Sequence, residues 1–341
     1  MEKFSQFRDR GSGIAPFFPL TSNTSSIYVL LYSCLFLLRL PFFIISTTIY
    51  FLFLQWLPLG PLFRKILLWI ILGIPGIWWM DLQIDGVKKG SLAKKHVGRV
   101  PGPSDIVASS FASPIDAVYL AAIFDPIFTI SYPHTHQIKV ISTFGAIFRA
   151  FSTPEEHPAK NSKLTDIGTL IANNNRRVIV VFPECTTTNG KGILPCSPSL
   201  LASPETSKIF PLHLRYAPSD ITTPIPGQYI SFLWNLLSRP THSIRVRIAA
   251  AIENRLDSSS WNPPYVTNHY NRNNNDTSKL NQILSPVLSN DQQLKLDSNQ
   301  KDLLARVGES LARLGMVKRV GLTVTDKLVF IKAWKQKQGT I

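Results

Sequence analysis

The chain has 341 residues, 45% of them hydrophobic, and its 36 Lys and Arg against 21 Asp and Glu give a net charge of +15. This length accommodates one large α/β domain with a membrane anchor, or two modest domains. The charge favours an anionic partner such as a phospholipid surface or a phosphate-rich molecule. The sequence contains no P-loop, dinucleotide fingerprint or zinc motif, and its basic stretches lack interleaved aromatic residues. We therefore predict no nucleic-acid partner, no metal and no tightly bound cofactor.

After an N-terminal tail of 26 residues, residues 27–80 form two apolar segments with few charges. Residues 27–54 contain one charged side chain, Arg39, and are longer than the ~20 residues that a membrane span needs. Residues 61–80 are a marginal second span. Basic residues follow these segments, and basic flanks stay in the cytosol; they are Lys88, Lys89, Lys94, Lys95 and Arg99. The pattern predicts a membrane-anchoring hairpin with both ends in the cytosol, with a single pass as the alternative.

Residues 81–253 show helical and strand patterns in alternation. Ser113 and Pro114 are typical of a helix start, and the apolar spacing predicts a helix from Pro114 to Phe128. A second helix is predicted over 164–175. Apolar or alternating runs predict strands at 139–141, 178–182, 209–216 and 244–252. This order predicts an α/β fold, a mixed sheet with flanking helices, with a cleft at the strand ends.

The last ninety residues divide into two parts. Residues 254–300 are rich in Asn, Ser and Pro, which is typical of a surface insertion or linker. Residues 301–341 begin with leucines at helical spacing and Gly315 in a C-cap position, which predicts an amphipathic helix. A basic tail follows, for which a solvated helix face and a membrane contact are equally expected.

The stretch Val-Val-Phe-Pro-Glu-Cys-Thr-Thr-Thr-Asn-Gly, residues 180–190, changes abruptly from a buried strand to a polar loop. Pro183 ends the strand, and Glu184 then stands beside a thiol and three hydroxyls. A turn in which Thr and Asn satisfy the backbone would account for the loop in isolation. A binding site at the mouth of a core strand is the alternative, and the order of the other motifs favours it.

That order is a helix start with Asp116, then Gly-x-x-Phe-Arg at 145–149, then Phe-Pro-Glu-x-Thr at 182–186, then a strand containing Pro211. Over roughly residues 100–220 it resembles the glycerophospholipid acyltransferase family. The continuation Thr-Asn-Gly and the apolar anchor are similar to the fungal lysophosphatidic acid acyltransferases of the endoplasmic reticulum and lipid droplets. The resemblance implies transfer of an acyl group from acyl-CoA, a co-substrate, to a lysophospholipid.

The resemblance also assigns roles to individual residues. Arg149 would bind the acceptor's phosphate, for which a guanidinium fork is suited, and Gly145 and Phe148 would shape its loop. Thr186 and Thr187 would donate hydrogen bonds to anionic oxygens, and Glu184 would orient the glycerol hydroxyl. Cys185 replaces the Gly that is usual in the family, so the loop is strained or reshaped if that position needs a positive φ.

The sequence departs from the family at the catalytic base. The family pattern His-x-x-x-x-Asp places an imidazole five residues before the Asp, to take the acceptor hydroxyl's proton. Asp116 occupies the Asp position, but Phe111 occupies the His position, and none of the seven histidines has an Asp five residues later. We predict that Asp116 is needed for activity, with His134 or His136 as candidate substitutes for the missing base.

Three interpretations remain open. The first is a membrane-bound acyl-CoA-dependent lysophospholipid acyltransferase on the cytosolic face of the endoplasmic reticulum, or on lipid droplets, with lysophosphatidic acid as the expected acceptor. The second is a catalytically weak relative that binds lipid or CoA and affects lipid-droplet or trafficking behaviour. The third is a membrane-anchored interaction protein without a working pocket. Retention of the phosphate-site residues fits the first two better than the third.

Overall fold

A computed structural model describes residues 2–20, 26–54, 61–88, 90, 98–160, 162–254 and 298–339. The strands in this part of the chain are β1 Ile77–Ile84, β2 Ile106–Ser109, β3 Ile127–Ser131, β4 Ile138–Ile141, β5 Leu164–Thr165, β6 Ile179–Val181, β7 Gly192–Ile193, β8 Lys208–Ala217, β9 His242–Ile248, β10 Ile252–Glu253 and β11 Lys318–Arg319. The helices are α1 Ser26–Thr48, α2 Pro61–Gly73, α3 Pro114–Phe124, α4 Thr143–Arg149, α5 Ile167–Asn173, α6 Tyr229–Ser238, α7 Ser298–Gly315 and α8 Val324–Gly339.

Nine of the described strands form one mixed sheet, in the order β1-β9-β8-β2-β6-β3-β4-β5, with β10 paired to β8. The central strands β8, β2, β6 and β3 run parallel to one another. Helices α2, α3, α4 and α6 contribute to the core on one face, whereas α5 and α7 cover the other. The predicted α/β architecture of a mixed sheet with flanking helices is confirmed.

Several predicted element boundaries differ from those in the structure. The helix predicted to reach Phe128 ends at Phe124, because Asp125 adopts a left-handed conformation and Pro126 follows; the next residues form β3. The helix predicted from residue 164 begins at Ile167. The end of the second apolar segment is β1, an edge strand paired with β9. Apolar strands and apolar spans are hard to tell apart by composition.

The N-terminal apolar segment forms one helix long and apolar enough to cross a membrane, residues 28–52. Within it Arg39 donates hydrogen bonds to the carbonyls of Pro75 at 3.2 Å, Arg239 at 2.5 Å and Pro240 at 3.0 Å. The helix is therefore attached to the α/β domain at its middle. The predicted hairpin turn around residues 58–60, Lys89, Lys94, Lys95 and most of the 254–300 insertion lie outside the described residues.

Candidate active site

Three loops meet at the carboxyl edge of the central strands. They follow β2, β6 and β8, and they are residues 110–113, 183–190 and 218–223. Backbone hydrogen bonds join them: Thr188 donates to Phe111 at 3.0 Å and Thr223 donates to Ala112 at 2.9 Å. Parallel neighbouring strands place such loops side by side, which is where α/β sheets commonly bind ligands.

Asp116 follows the first of these loops, in the first turn of α3. Its Oδ2 accepts from the backbone amides of Ala112 at 2.7 Å and Ser113 at 2.9 Å, which completes a capping box with Ser113. Its Oδ1 accepts a hydrogen bond from the hydroxyl of Tyr216 on β8. Burial raises the pKa of Asp116 to about 7, against these three hydrogen bonds, which lower it. Both carboxyl oxygens are therefore fully engaged within the protein.

Phe111 has no polar atom on its ring and cannot hydrogen-bond Asp116 as an imidazole would. Its ring is 1% exposed and stacks on Phe182, with ring centroids 4.2 Å apart. The partner of the Asp116 carboxyl is a tyrosine instead, and burial raises the pKa of Tyr216 well above its ordinary value. A phenol in that state donates a proton to a hydrogen bond and is not a base.

The histidines do not replace the missing imidazole in the described part of the chain. His136 contacts the carbonyl of Pro198 at 3.1 Å, and His134 lies beside His157. His213 is buried in β8, and burial together with Arg215 and Arg247 lowers its pKa to about 4. None of these side chains is hydrogen-bonded to Asp116. His96 and His269 lie outside the described residues.

Glu184 is buried with 1% exposure in the second loop. Its Oε2 accepts from the amide of Leu194 at 3.0 Å, whereas its Oε1 has no hydrogen-bond partner among the described residues. Burial raises the pKa of Glu184 to about 8, and the backbone amides of Leu194 and Phe111 act to lower it. The Phe111 amide does so without forming a hydrogen bond of normal geometry. One carboxyl oxygen therefore remains available.

The threonines that follow Glu184 contact other loops and a distant lysine. The hydroxyl of Thr187 donates to the carbonyl of Thr223 at 2.8 Å. Lys327 Nζ, from α8, donates to Thr186 Oγ1 at 2.8 Å, to Thr187 O at 2.6 Å and to Thr187 Oγ1 at 3.0 Å. Both threonines are buried, so the loop predicted to bind anionic oxygens is covered by the C-terminal helix.

Arg149 lies at the end of α4, near this loop. Its Nη1 forms an ion pair with Glu155 Oε1 at 2.9 Å, and its side chain is only 8% exposed. Its Nη2 is buried and has no hydrogen-bond partner among the described residues. Gly145 and Phe148 are on the same helix, where Phe148 is exposed and packs on Phe144. The structure thus brings Arg149, Glu184, Thr186 and Asp116 to one edge of the sheet, whereas Phe148 points away.

The sequence matches no model of a known protein family. A Schizosaccharomyces pombe protein named "Putative lysophosphatidic acid:oleoyl-CoA acyltransferase" is 29% identical over 254 residues, which are 73% of this chain and 84% of that protein. The Saccharomyces cerevisiae protein named "Lysophosphatidic acid:oleoyl-CoA acyltransferase 1" is 26% identical over 205 residues, 58% of this chain and 61% of that protein. The chain is therefore similar in sequence to these two fungal proteins.

This relationship confirms the resemblance that the motifs indicate. Two residues beside the predicted acyltransferase motifs, Tyr216 and Lys327, are not indicated by any sequence pattern. In the sequence, Tyr216 is one more residue of an apolar strand, and Lys327 is one of many basic residues in the tail. Their partners, Asp116 and Thr187, lie 100 and 140 positions away. Contacts at that separation leave no trace in local patterns.

Cys185 occupies a position at which the resemblance to the acyltransferase family implies Gly. Its φ is +57°, a left-handed conformation that non-glycine residues rarely adopt. The thiol is buried and lies 3.7 Å from Ser131 Oγ. The position therefore does need a positive φ, and the loop carries backbone strain of about 1–2 kcal/mol.

Proposed function

We propose that the chain is a membrane-bound acyltransferase that transfers a fatty acyl group from acyl-CoA to lysophosphatidic acid and forms phosphatidic acid. The observation that supports this most is the meeting of Asp116, Glu184, Thr186, Thr187 and Arg149 at the carboxyl edge of the central strands. Two curated relatives are named for this reaction. Arg149 carries an unpartnered guanidinium nitrogen in the described structure, and a phosphate oxygen is the acceptor that it lacks.

An apolar cavity beside this edge supports the acyl part of the proposal. It has a volume of about 190 Å³ and is lined by α1, α2, α3 and α6, including Pro114, Ile115 and Val118. Pro114 and Ile115 directly precede Asp116. An alkyl chain bound there would gain about 0.8 kcal/mol for each buried methylene, with its carbonyl end directed toward the strand edge.

A second cavity supports the proposal for the CoA part. It has a volume of about 530 Å³, lies against Tyr216 and Ala112, and includes Arg8, Lys191 and Arg215. Its lining contains no acidic side chain. A cleft with charges of one sign concentrates ligands of the opposite sign, such as the phosphates of CoA.

The proposed reaction is acyl transfer without a covalent intermediate. The acceptor's hydroxyl oxygen forms a bond to the thioester carbonyl carbon, the carbon–sulfur bond breaks, and the hydroxyl's proton leaves while CoA departs as the thiol. Arg149 and the hydroxyl of Thr186 would hold the phosphate end, while Thr187, whose hydroxyl donates to the carbonyl of Thr223, would hold the loop in place. Asp116 would hold Tyr216 and the loop before α3 in place. No described residue is assigned as the base.

The membrane association in this proposal is supported by apolar side chains on the surface near α1. Trp78 and Trp79 on β1 are more than 70% exposed, as is Ile230 on α6. Trp side chains favour the interface between lipid and water. We place the protein on the cytosolic face of the endoplasmic reticulum or on lipid droplets, with its anchor as a hairpin.

The experiment is an assay of the purified full chain in phospholipid vesicles with labelled acyl-CoA and a panel of lysophospholipids. We expect labelled phosphatidic acid from lysophosphatidic acid, and less product from lysophosphatidylcholine. The buried stack of Phe111 on Phe182 favours a second candidate, a relative that binds acyl-CoA or lipid without turnover. Binding of both substrates without product would support that candidate, whereas neither binding nor product would contradict both.

A further inference from the structure

Lys327 differs from the other lysines of α8. Its side chain is fully buried, at 0% exposure, whereas Lys332, Lys335 and Lys337 on the same helix are exposed. An ammonium group taken out of water costs several kcal/mol unless hydrogen bonds and charges compensate. A helix that served only to cover a loop would do so at lower cost with an apolar side chain at this position.

The surroundings of Lys327 match the ammonium form. An ammonium group has three N–H donors, and three oxygen acceptors lie within 2.6–3.0 Å of Nζ. All three belong to Thr186 and Thr187. The lysine therefore fixes the side chains of both threonines and the carbonyl of Thr187, from a helix that is 140 positions away in the chain.

Residues 2–20 hold α8 over loop 183–190. We call residues 2–20 together with α8 the terminal cover. Phe330 on α8 packs against Phe7 and Phe17, with ring centroids 5.2 and 6.0 Å apart. Asn189, at the end of the loop, donates to the carbonyls of Ala15 at 2.8 Å and Phe18 at 2.9 Å. Both ends of the chain therefore contact the candidate site directly.

We propose that the terminal cover completes the acceptor site, with Lys327 as a positioning residue that fixes Thr186 and Thr187 in its charged form. The proposal rests on the proposed function. Lys327 also places a second cation near Arg149, beside the loop that is expected to bind the phosphate. Repulsion between these two cations is relieved when an anion binds, so an anionic acceptor gains from their proximity.

The charged groups that act on Lys327 make its role measurable. Burial, together with the charge of Arg149, lowers the pKa of Lys327 to about 7, although Glu184 acts to raise it. Asp326 is the nearest acidic residue on its own helix and hydrogen-bonds Thr323. Lys327 consequently loses its charge as the pH rises through about 7, and the affinity for an anionic acceptor should fall with it.

The test compares Lys327→Met, Lys327→Arg and the exposed control Lys332→Met in the full chain in vesicles. We expect Lys327→Met to raise the KM for lysophosphatidic acid about 10- to 100-fold, because the charged hydrogen bonds that fix the two threonines are lost. The KM for acyl-CoA should change less than about twofold, and Lys332→Met should match the wild type. Lys327→Met leaves three buried acceptor oxygens without this donor, at about 1–3 kcal/mol each, so urea denaturation of every variant accompanies the kinetics.

The pH profile separates this role from a purely structural one. Asp116 and Glu184 also gain negative charge between pH 6 and 9, so the wild-type profile alone is not decisive. Lys327→Arg stays charged, so its acceptor KM should rise less with pH than that of the wild type. An identical rise in both would assign the profile to the carboxyls and overturn the proposal, even if Lys327→Met failed to fold.

The two proposals fail separately. A wild-type protein that neither acylates nor binds lysophosphatidic acid would contradict the proposed function. A wild-type protein that does so, with an unchanged acceptor KM in folded Lys327→Met, would overturn only the role of Lys327.

Discussion

The two buried carboxyls at the strand edge, Asp116 and Glu184, have opposite hydrogen-bond arrangements. Asp116 accepts from two amides and a tyrosine, so both of its oxygens are engaged. Glu184 accepts from one amide through Oε2, and its Oε1 has no partner among the described residues. A completed set of hydrogen bonds is typical of a structural cap, whereas spare acceptor capacity near Arg149 and Lys327 is typical of a place where a ligand can bind.

This difference divides the proposed site into two halves. In the family pattern the Asp orients a histidine, but here the same carboxyl orients Tyr216 and the loop before α3. On the proposed phosphate side, Arg149 and Glu184 each keep one polar atom without a hydrogen-bond partner among the described residues. The half that organises the backbone and the half that meets the acceptor can therefore be tested separately.

The largest effect is expected from Asp116→Ala. It leaves two amide donors and the Tyr216 hydroxyl unpaired in the interior, at about 1–3 kcal/mol each, so the free energy of unfolding should fall by about 3 kcal/mol or more. Asp116→Asn is the matched control: its oxygen can accept from the amides while Tyr216 rotates to accept from its NH₂ group. Urea denaturation of both variants measures the difference.

Activity of the same two variants tests the predicted need for Asp116. We expect Asp116→Ala to lose turnover together with stability. If folded Asp116→Asn retains near wild-type turnover, the carboxyl acts by holding the loop and not through its charge. Equal stability of the Ala variant and the wild type would contradict the structural role.

The second prediction concerns pH. The pKa of Asp116 rises from 3.8 to about 7 on folding, and that of Glu184 from 4.5 to about 8. The folded state thus retains protons that the unfolded chain releases, so this contribution to stability is present below pH 4 and lost as the pH rises through 7 and 8. Between about pH 4 and pH 8 the free energy of unfolding should fall by several kcal/mol.

Glu184→Gln should remove its part of this fall and keep the acceptor for the Leu194 amide. Lys327 acts in the opposite direction but in a different window: its pKa falls from 10.5 to about 7, so its contribution to stability increases from pH 7 to 10.5. Denaturation series at pH 5, 6, 7 and 8 check the carboxyls. A flat wild-type profile over that range would contradict the assignment.

The third prediction concerns the open side of Glu184. Arg149→Ala should raise the acceptor KM about 10- to 100-fold, since a charged hydrogen bond is lost, and Arg149→Lys should restore it only in part, because a point charge lacks the fork geometry. Glu155→Gln removes the carboxylate that now pairs with Arg149. It should lower the acceptor KM by no more than about fivefold, because the pair is partly exposed.

Steady-state kinetics with lysophosphatidic acid measure these values, and the acyl-CoA KM serves as the internal control. Unchanged acceptor kinetics in folded Arg149→Ala would remove Arg149 from the site. A higher acceptor KM in Glu155→Gln would show that Glu155 helps to place Arg149 and does not compete with the phosphate.

How far the sequence predicts these features depends on the range of the interactions. The cap at Ser113, the buried strand β6 and the alternating strand β9 follow from neighbouring residues, and the structure contains them. The sequence does not predict the end of α3 correctly, because the apolar pattern of the helix continues into β3. The burial and the neighbours of Lys327 are not predictable from the sequence, because they are decided by packing of the basic tail against residues 2–20 and loop 183–190.

The smallest expected effect concerns Cys185, next to Glu184, and its direction is informative. In ordinary conformations Ala is more stable than Gly by roughly 0.5–1 kcal/mol, since Gly loses more backbone freedom on folding. At φ +57° the Cβ of a non-glycine residue costs about 1–2 kcal/mol, so the order should reverse. We expect Cys185→Gly to remain within about 0.5 kcal/mol of the wild type, because relief of strain offsets the lost thiol contacts, and Cys185→Ala to be less stable than Cys185→Gly by about 1 kcal/mol. Thermal unfolding of the two variants side by side measures the order. If the Ala variant is the more stable, residue 185 does not hold the left-handed conformation in solution, and the geometry around Glu184 Oε1 differs from that described.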